Sequence, residues 1–223
     1  MKLKRNWVTL AATTAIVALS AGAFSASVYA GDKAEKTAAK SASEPMAKID
    51  SAAPDFTLTD TDGKQHKLSD YTAQGKVVVL EWFNSGCPYV KRHYDKYTTM
   101  RDTAAKHGDK VVWLAINSGA PGKEGHGKDA QARTDWKIAY PVLLDESGQV
   151  GKLYGAKTTP HMFVIDPKGI LVYAGAIDND PKDAQPADKK TNYVAQALDE
   201  VIAGKPVSTK ETKAYGCSVK YGS

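Results

Sequence analysis

Apolar positions along this chain fall into short runs of two kinds. Val77-Val78-Val79-Leu80, continuing to Trp82, and Val111 to Ile116 are almost unbroken and bounded by polar turns. Continuous runs of this length predict strands buried on both faces, as in a sheet covered by helices on either side. Phe56-Thr57-Leu58-Thr59 instead alternates. Asp62-Gly63 is a hairpin turn signal, and Gln65 to Leu68 forms the return, which predicts an N-terminal β-hairpin. Shorter strands are predicted over 140–144, 162–166 and 170–174, the last two joined by the turn Pro167-Lys168-Gly169. Helices are predicted from Pro88 to about His107, ended by Gly108, over 129–136, and over 193–203, stopped by Gly204. A helical turn is expected at 150–154. Residues 117–127 are Gly-rich and read as a loop. Strands alternating with helices, then a terminal hairpin and helix, make an α/β fold with a mixed central sheet and helices on both faces.

The ends of the chain follow different patterns. Met1-Lys2-Leu3-Lys4-Arg5 is basic, residues 7–23 are apolar, and Val28-Tyr29-Ala30 is a small-x-small site. This is the pattern of a cleavable secretory signal over residues 1–30, cut after Ala30, and it implies a periplasmic or secreted protein. An uncleaved anchor is the competing reading, although the stretch is near the lower length limit for a spanning helix. Residues 31–50 carry few large apolar side chains and read as a flexible linker. Residues 51–204 form the expected domain, and 205–223 a polar tail that carries Cys217, whose tyrosines and valine suggest docking rather than disorder. Removing the signal lowers the basic count from 30 to 27 against 25 acids, so the mature charge is only +2. With no basic stripe interleaved with aromatics, nucleic acid is not expected as a partner, and neither is stable membrane insertion once the signal is gone.

The chain holds two cysteines. Cys87 follows the first buried-type strand and opens Cys87-Pro88-Tyr89-Val90-Lys91-Arg92. Proline is pre-set for the first helical position, so Cys87 is expected as the N-cap. There it faces unpaired N–H groups and the positive end of the helix dipole, with Lys91 and Arg92 nearby, all of which favour the reactive thiolate.

The openings "APDFTLTDTDGKQHKLSDY" and "GKVVVLEWFNSGCP", the Cys-Pro helix start and the later Thr159-Pro160 resemble the redoxin branch of the thioredoxin-like superfamily. That branch includes the alkyl hydroperoxide reductase and thiol-specific antioxidant proteins and the exported thioredoxin-like reductases. The resemblance covers about residues 52–204 and implies a thioredoxin-like fold and thiol redox chemistry without a cofactor. It implies a cis Pro160 beside the reactive thiol, with Thr159 presenting backbone to a substrate strand and Pro88 at the helix start. Glu81 stands at the position of a buried proton-accepting acid, and alternation puts it on the same face as Val79. His161 is expected near Cys87, where it would tune protonation. His93 is expected on another helical face. Cys217 would be a resolving cysteine, paired with Cys87 within one chain or between two, or else part of a static disulfide.

Two departures leave the substrate open. Val90 occupies the second position of the reductases' Cys-x-x-Cys. Leu80 and Asn84 replace the Pro and Thr or Ser that precede a peroxidatic cysteine, with Ser85 as a substitute hydroxyl and only Arg92, Arg101 and Arg133 as candidate peroxide-polarising arginines. The leading expectation is an exported thiol oxidoreductase. It would act on a protein or small-molecule disulfide or on a hydroperoxide, and an exported electron donor would restore it. The competing expectations are a copper-handling protein using Cys87, His161 and Cys217 or His126, and a non-catalytic binding module.

Overall fold

The computed structural model describes residues 46–222. The signal, its expected cut after Ala30 and residues 31–45 lie outside the described residues. Seven strands form one sheet in the order β2-β1-β5-β4-β3-β7-β8, built from β1 (Thr57–Asp60), β2 (Gln65–Lys67), β3 (Val77–Trp82), β4 (Val111–Asn117), β5 (Val142–Leu144), β7 (His161–Ile165) and β8 (Leu171–Gly175). β3 runs parallel to β4 and antiparallel to β7, so the sheet is mixed. The fold is thioredoxin-like, and its N-terminal hairpin joins the sheet through β1 and β5.

The alternation inside β3 sorts the core. Val77 and Val79 face one cluster, together with Cys87, Val90, Tyr94, Met162, Val164 and Leu198. Val78, Leu80 and Trp82 face the other, with Leu68, Val150, Tyr154, Phe163 and Ile165. The first face is covered by α2 (Pro88–Lys91), α3 (Thr99–Ala105), α4 (Asp129–Asp135) and α6 (Tyr193–Ile202), the second by α1 (Leu68–Thr72) and α5 (Gln149–Leu153). Asn192 caps α6 by accepting from the Ala195 N–H at 2.9 Å. Leu80 is fully buried between Leu114 and Phe163 in register. Leu80→Ala is expected to cost about 2–5 kcal/mol, read as a drop in the urea midpoint at unchanged slope.

Two predicted elements differ. The helix expected over 88–107 is broken: α2 passes into a π-helical turn at Arg92–Lys96, and Tyr97 is extended before α3 begins. The Tyr97 N–H bonds back to Arg92 O at 3.0 Å, and the wider turn accompanies Tyr94 in the core and the Tyr97 hydroxyl on Asp183 at 2.6 Å. Periodicity cannot register such a change, because the apolar side chains still reach the same face. The last residues of the expected linker are docked: the Ala47 N–H bonds to Leu153 O, the Asp50 N–H to Leu171 O, and Ile49 packs on the second cluster.

The polar tail is also part of the fold. Val207 is buried, and residues 210–212 run along β8, with Ala174 N–H on Lys210 O at 3.0 Å and Thr212 N–H on Ala174 O at 3.1 Å. The tail then forms β9 (Cys217–Ser218), which pairs antiparallel with β6 (Thr158–Thr159) as a separate two-stranded sheet. Backbone hydrogen bonds hold it together with Val207, Tyr215 and Cys217 on the first cluster and Val219 on the second. Among the described residues no helix is long and apolar enough to cross a membrane.

Candidate active site

The expected cap is present. Cys87 is the N-cap of α2 with extended backbone, and Pro88 is the first helical residue. The Cys87 side chain is fully buried. Its Sγ–H donates to the carbonyl of Thr159 at 2.9 Å, and the Thr159–Pro160 bond is cis. Opposite Thr159 in register lies Cys217, so β9 carries the second thiol onto the first. Both cysteines are free in this structure.

The two sulfurs are in unlike states. Burial opposes the Cys87 thiolate, but it is outweighed by hydrogen bonding from Cys217 and from the backbone N–H of Val90. The net effect holds the Cys87 thiol below the ordinary cysteine range. The Cys217 thiol is pushed up, first by burial and then by its hydrogen bond to Cys87 and the charge there. The two shifts run in opposite directions, which favours the thiolate on Cys87 over the thiolate on Cys217. The flanking cations play a different part from the one expected. Lys91 is exposed, and Arg92 is turned toward the carbonyls of Asp180 and Pro181 and the Tyr215 hydroxyl, each at 3.2 Å.

Glu81 is completely buried, and its register partners Ala115 and Met162 belong to the Cys87 face. Its carboxyl accepts from Tyr94 at 2.9 Å to each oxygen, from Trp113 Nε1 at 2.8 Å and from Tyr140 at 3.4 Å. Burial pushes the Glu81 carboxyl up to about 7 against the pull of those donors. A buried acid that titrates near neutrality suits proton transfer.

His161 is not brought to the sulfur. Along β7, Met162 and Val164 face the Cys87 side, whereas Phe163 and Ile165 face the other. His161 falls with the second set: its ring lies 4.4 Å from that of Phe163, centroid to centroid, and Nδ1 accepts the Lys157 N–H at 3.3 Å. Burial lowers this imidazole to about 4. Adjacency to Pro160 fixes where the backbone goes, but the two-residue alternation of the strand sends the side chain to the far face.

His93 is the histidine on the Cys87 side that sequence reading set aside. It is 1% exposed, and Nε2 lies 3.2 Å from the Tyr215 hydroxyl. That hydroxyl donates to Asp178 Oδ1 at 2.5 Å. Burial lowers His93 to about 4. Together Arg92, His93 and Asp178 seat Tyr215, two residues before Cys217. The Tyr-Gly-Cys of the tail is the only sequence signal of this contact.

Neither peroxidase substitute reaches the thiol. Ser85 Oγ is buried without a hydrogen-bond partner and borders a cleft with Lys91, Asp95, Lys128 and Trp136. Arg101 donates to Trp136 O at 2.7 Å, and Arg133 bridges to Asp62 on the surface. His126 pairs with Glu146 at 2.8 Å, away from Cys87. Among the described residues no three His, Cys, Asp or Glu side chains are grouped to hold a metal ion. Asn84 instead braces the loop before Cys87: its side chain accepts the Gly86 N–H at 2.7 Å and donates to Glu124 O at 3.0 Å.

Known proteins share this framework. A thiol-disulfide oxidoreductase ResA of Geobacillus thermodenitrificans is 31% identical over 156 residues, covering 70% of this chain and 80% of the relative. The ResA of Geobacillus kaustophilus matches to the same extent. An uncharacterized conserved protein from G. kaustophilus superposes with a TM-score of 0.68 at 28% identity, over 79% of this chain and 94% of that one. A putative thiol:disulfide interchange protein DsbE from Chlorobium tepidum gives 0.52 at 26% identity, over 71% and 97%. The AhpC/TSA family model matches residues 49–174, more than half of the sequence. On this match, and on the Cys-Pro helix start facing a cis Thr-Pro across a mixed sheet, the chain belongs to the AhpC/TSA family, within the redoxin branch of the thioredoxin-like superfamily.

Proposed function

We propose that this redoxin works outside the cytoplasm as a thiol–disulfide oxidoreductase, with Cys87 as the attacking thiolate and Cys217 as the resolving thiol. One observation carries the reading: β9 seats Cys217 opposite Thr159, whose carbonyl accepts from the sulfur at the cap of α2 at 2.9 Å. The Cys87 thiolate attacks one sulfur of a substrate disulfide and forms a mixed disulfide, and the other substrate sulfur leaves as a thiolate. Cys217 gives up its proton and attacks the Cys87 sulfur, which releases the second substrate thiolate. The substrate gains two electrons and leaves as two thiolates that take their protons from water, and Cys87–Cys217 closes as a disulfide. An exported dithiol donor reverses that bond in the next cycle.

The carboxylate of Glu81 takes up the proton that Cys217 gives up. Thr159, Pro160 and Pro88 frame the substrate backbone. The raised Cys217 thiol and lowered Cys87 thiol support this order of attack. Export rests on the basic, apolar and small-residue pattern of residues 1–30. Disulfide exchange is favoured over hydroperoxide reduction because Arg92, Arg101 and Arg133 are all engaged away from the sulfur.

The test is to mix the reduced protein with a protein disulfide, quench in acid and weigh the products. Wild type is expected to end with Cys87 joined to Cys217. Cys217→Ser is expected to stop at a stable mixed disulfide on Cys87. If neither protein forms any bond to the substrate while Cys87 oxidises rapidly with hydrogen peroxide, the chain is a peroxidase and the exchange reading fails.

A further inference from the structure

On the exchange reading, a substrate strand belongs at the backbone edge of Thr159. In this structure that edge is taken. β6 is two residues long, and its strand partner is the chain's own tail. Cys87 beneath it is fully buried, so nothing the size of a polypeptide reaches the sulfur while the tail is seated.

The tail fits this edge through particular residues. Gly216 has φ +137°, and a Cβ built there would lie 2.0 Å from Thr159 O, 2.7 Å from Thr159 C and 3.2 Å from Pro160 N. All three are backbone atoms held by the cis turn and cannot yield, so only glycine lets the cysteine that follows come down onto Cys87. One residue earlier, the Tyr215 ring lies 5.9 Å from that of Tyr89 and 5.6 Å from the Arg92 guanidinium. Its hydroxyl is held by Arg92, His93 and Asp178, from two different segments of the domain. The groove thus has a slot for an aromatic hydroxyl, then a position that excludes every side chain, then the reactive sulfur.

We propose that this groove is a recognition site for an extended polypeptide segment of the form Tyr-Gly-Cys, and that the tail is a tethered competitor for it. The proposal rests on the exchange reading. A partner disulfide whose cysteine follows glycine takes the strand position when residues 215–218 lift away. A partner with any larger residue before its cysteine is held off the thiol by the Thr159 carbonyl.

The probes are two synthetic peptides, Ala-Tyr-Gly-Cys-Ser-Val-Lys and Ala-Tyr-Ala-Cys-Ser-Val-Lys, each with its cysteine joined to thionitrobenzoate. Attack by the Cys87 thiolate on the peptide sulfur forms the protein–peptide disulfide and expels one coloured thionitrobenzoate. Rates are measured on the full chain carrying Cys217→Ser, so that Cys87 is the only thiol. The glycine peptide is expected to react at least about tenfold faster than the alanine peptide. Adding Gly216→Ala, which unseats the tail, is expected to raise both rates about tenfold or more and keep their ratio. Tyr215→Phe loosens the tail without touching its backbone and is expected to raise them in the same direction, should Gly216→Ala fail to fold.

Equal rates for the two peptides overturn the glycine selection. Rates unchanged when the tail is loosened overturn the tethered competitor. Symmetric dithiobis(nitrobenzoate), which has no strand to pair, separates these from a deeper failure. If Cys87 attacks neither it nor the peptides in any variant, the exchange reading falls and the proposal with it.

Discussion

Replacing Cys87 with alanine abolishes disulfide exchange, a loss of about 10³-fold or more in kcat/KM, while the domain stays folded. The sulfur is the only group that forms a bond to substrate on the proposed path, and no neighbour can stand in for it. Val90 fills the place of a local second cysteine. Cys217 is held protonated by burial and by Cys87 itself. Removing one buried sulfur leaves a small void at the start of α2 and costs about 1 kcal/mol, because Pro88 at the first helical position and the neighbouring Val90 and Phe83 remain. The check is steady-state exchange kinetics beside circular dichroism and a melting curve. Wild-type exchange activity in Cys87→Ala would remove Cys87 from the reacting path and overturn the proposed mechanism. Cys217→Ser offers the contrast: it keeps the first bond-forming step and loses turnover, since nothing remains to release the mixed disulfide.

Glu81→Gln gains stability relative to wild type as pH rises from about 4.5 to about 7. The folded carboxyl titrates at about 7 against an ordinary value of 4.5. Between those values the folded chain holds a proton that the unfolded chain has lost, so raising the pH favours unfolding. The neutral acid's contribution is complete below 4.5 and is lost as pH climbs through 7. It amounts to something on the order of 3 kcal/mol, or very roughly 6–12 °C in melting temperature for a domain of this size.

Asp129 acts in the same sense, since burial raises its carboxyl from 3.8 to about 6. The buried His93 and His161 act oppositely: their lowered values give stability above about 6.5 that is lost as pH falls. Only the difference between wild type and Glu81→Gln isolates Glu81, and urea midpoints of both at pH 5, 6, 7 and 8 provide it. Glutamine keeps an acceptor for Trp113 and offers a donor to Tyr94, so the network survives. A flat difference across the range would mean that Glu81 is already ionised in the folded protein. If Glu81 accepts the resolving proton, the same variant also slows exchange about 10²-fold at pH 8 and loses the rise in rate through pH 7.

On the proposed path, a resolving Cys217 would let this member dispense with a second cysteine in the helix. A Cys-x-x-Cys pair is held together by the first turn of α2 alone. Here the partner arrives from the end of the chain, so its position depends on a docked strand, a seated tyrosine and a glycine. On that path the redox partner and the cover of the Cys87 thiol would be the same segment, which a local dithiol cannot achieve.

Much of this was legible along the chain because it depends on neighbours in sequence. The apolar run before Glu81 determines a strand buried on both faces, and alternation alone assigns Glu81 to the side of Val79. Proline after Cys87 determines the helix start and hence the cap. Asp62-Gly63 determines the hairpin, with Gly63 at φ +82°. The tertiary structure decided what depends on contacts between distant segments. The tyrosines and valine of the tail suggest docking, but where it docks was decided by backbone bonds to Ala174, Thr159 and Lys157 and the seat of Tyr215, which fix it over the thiol. The break after Lys96 came from Tyr94 and Tyr97 reaching partners on other elements. His161 shows the same division: its place beside Pro160 is sequence, but the face it turns to was set by the pairing of β7 with β3. Periodicity reports which side of an element is apolar, and only the packed chain reports what lies against that side.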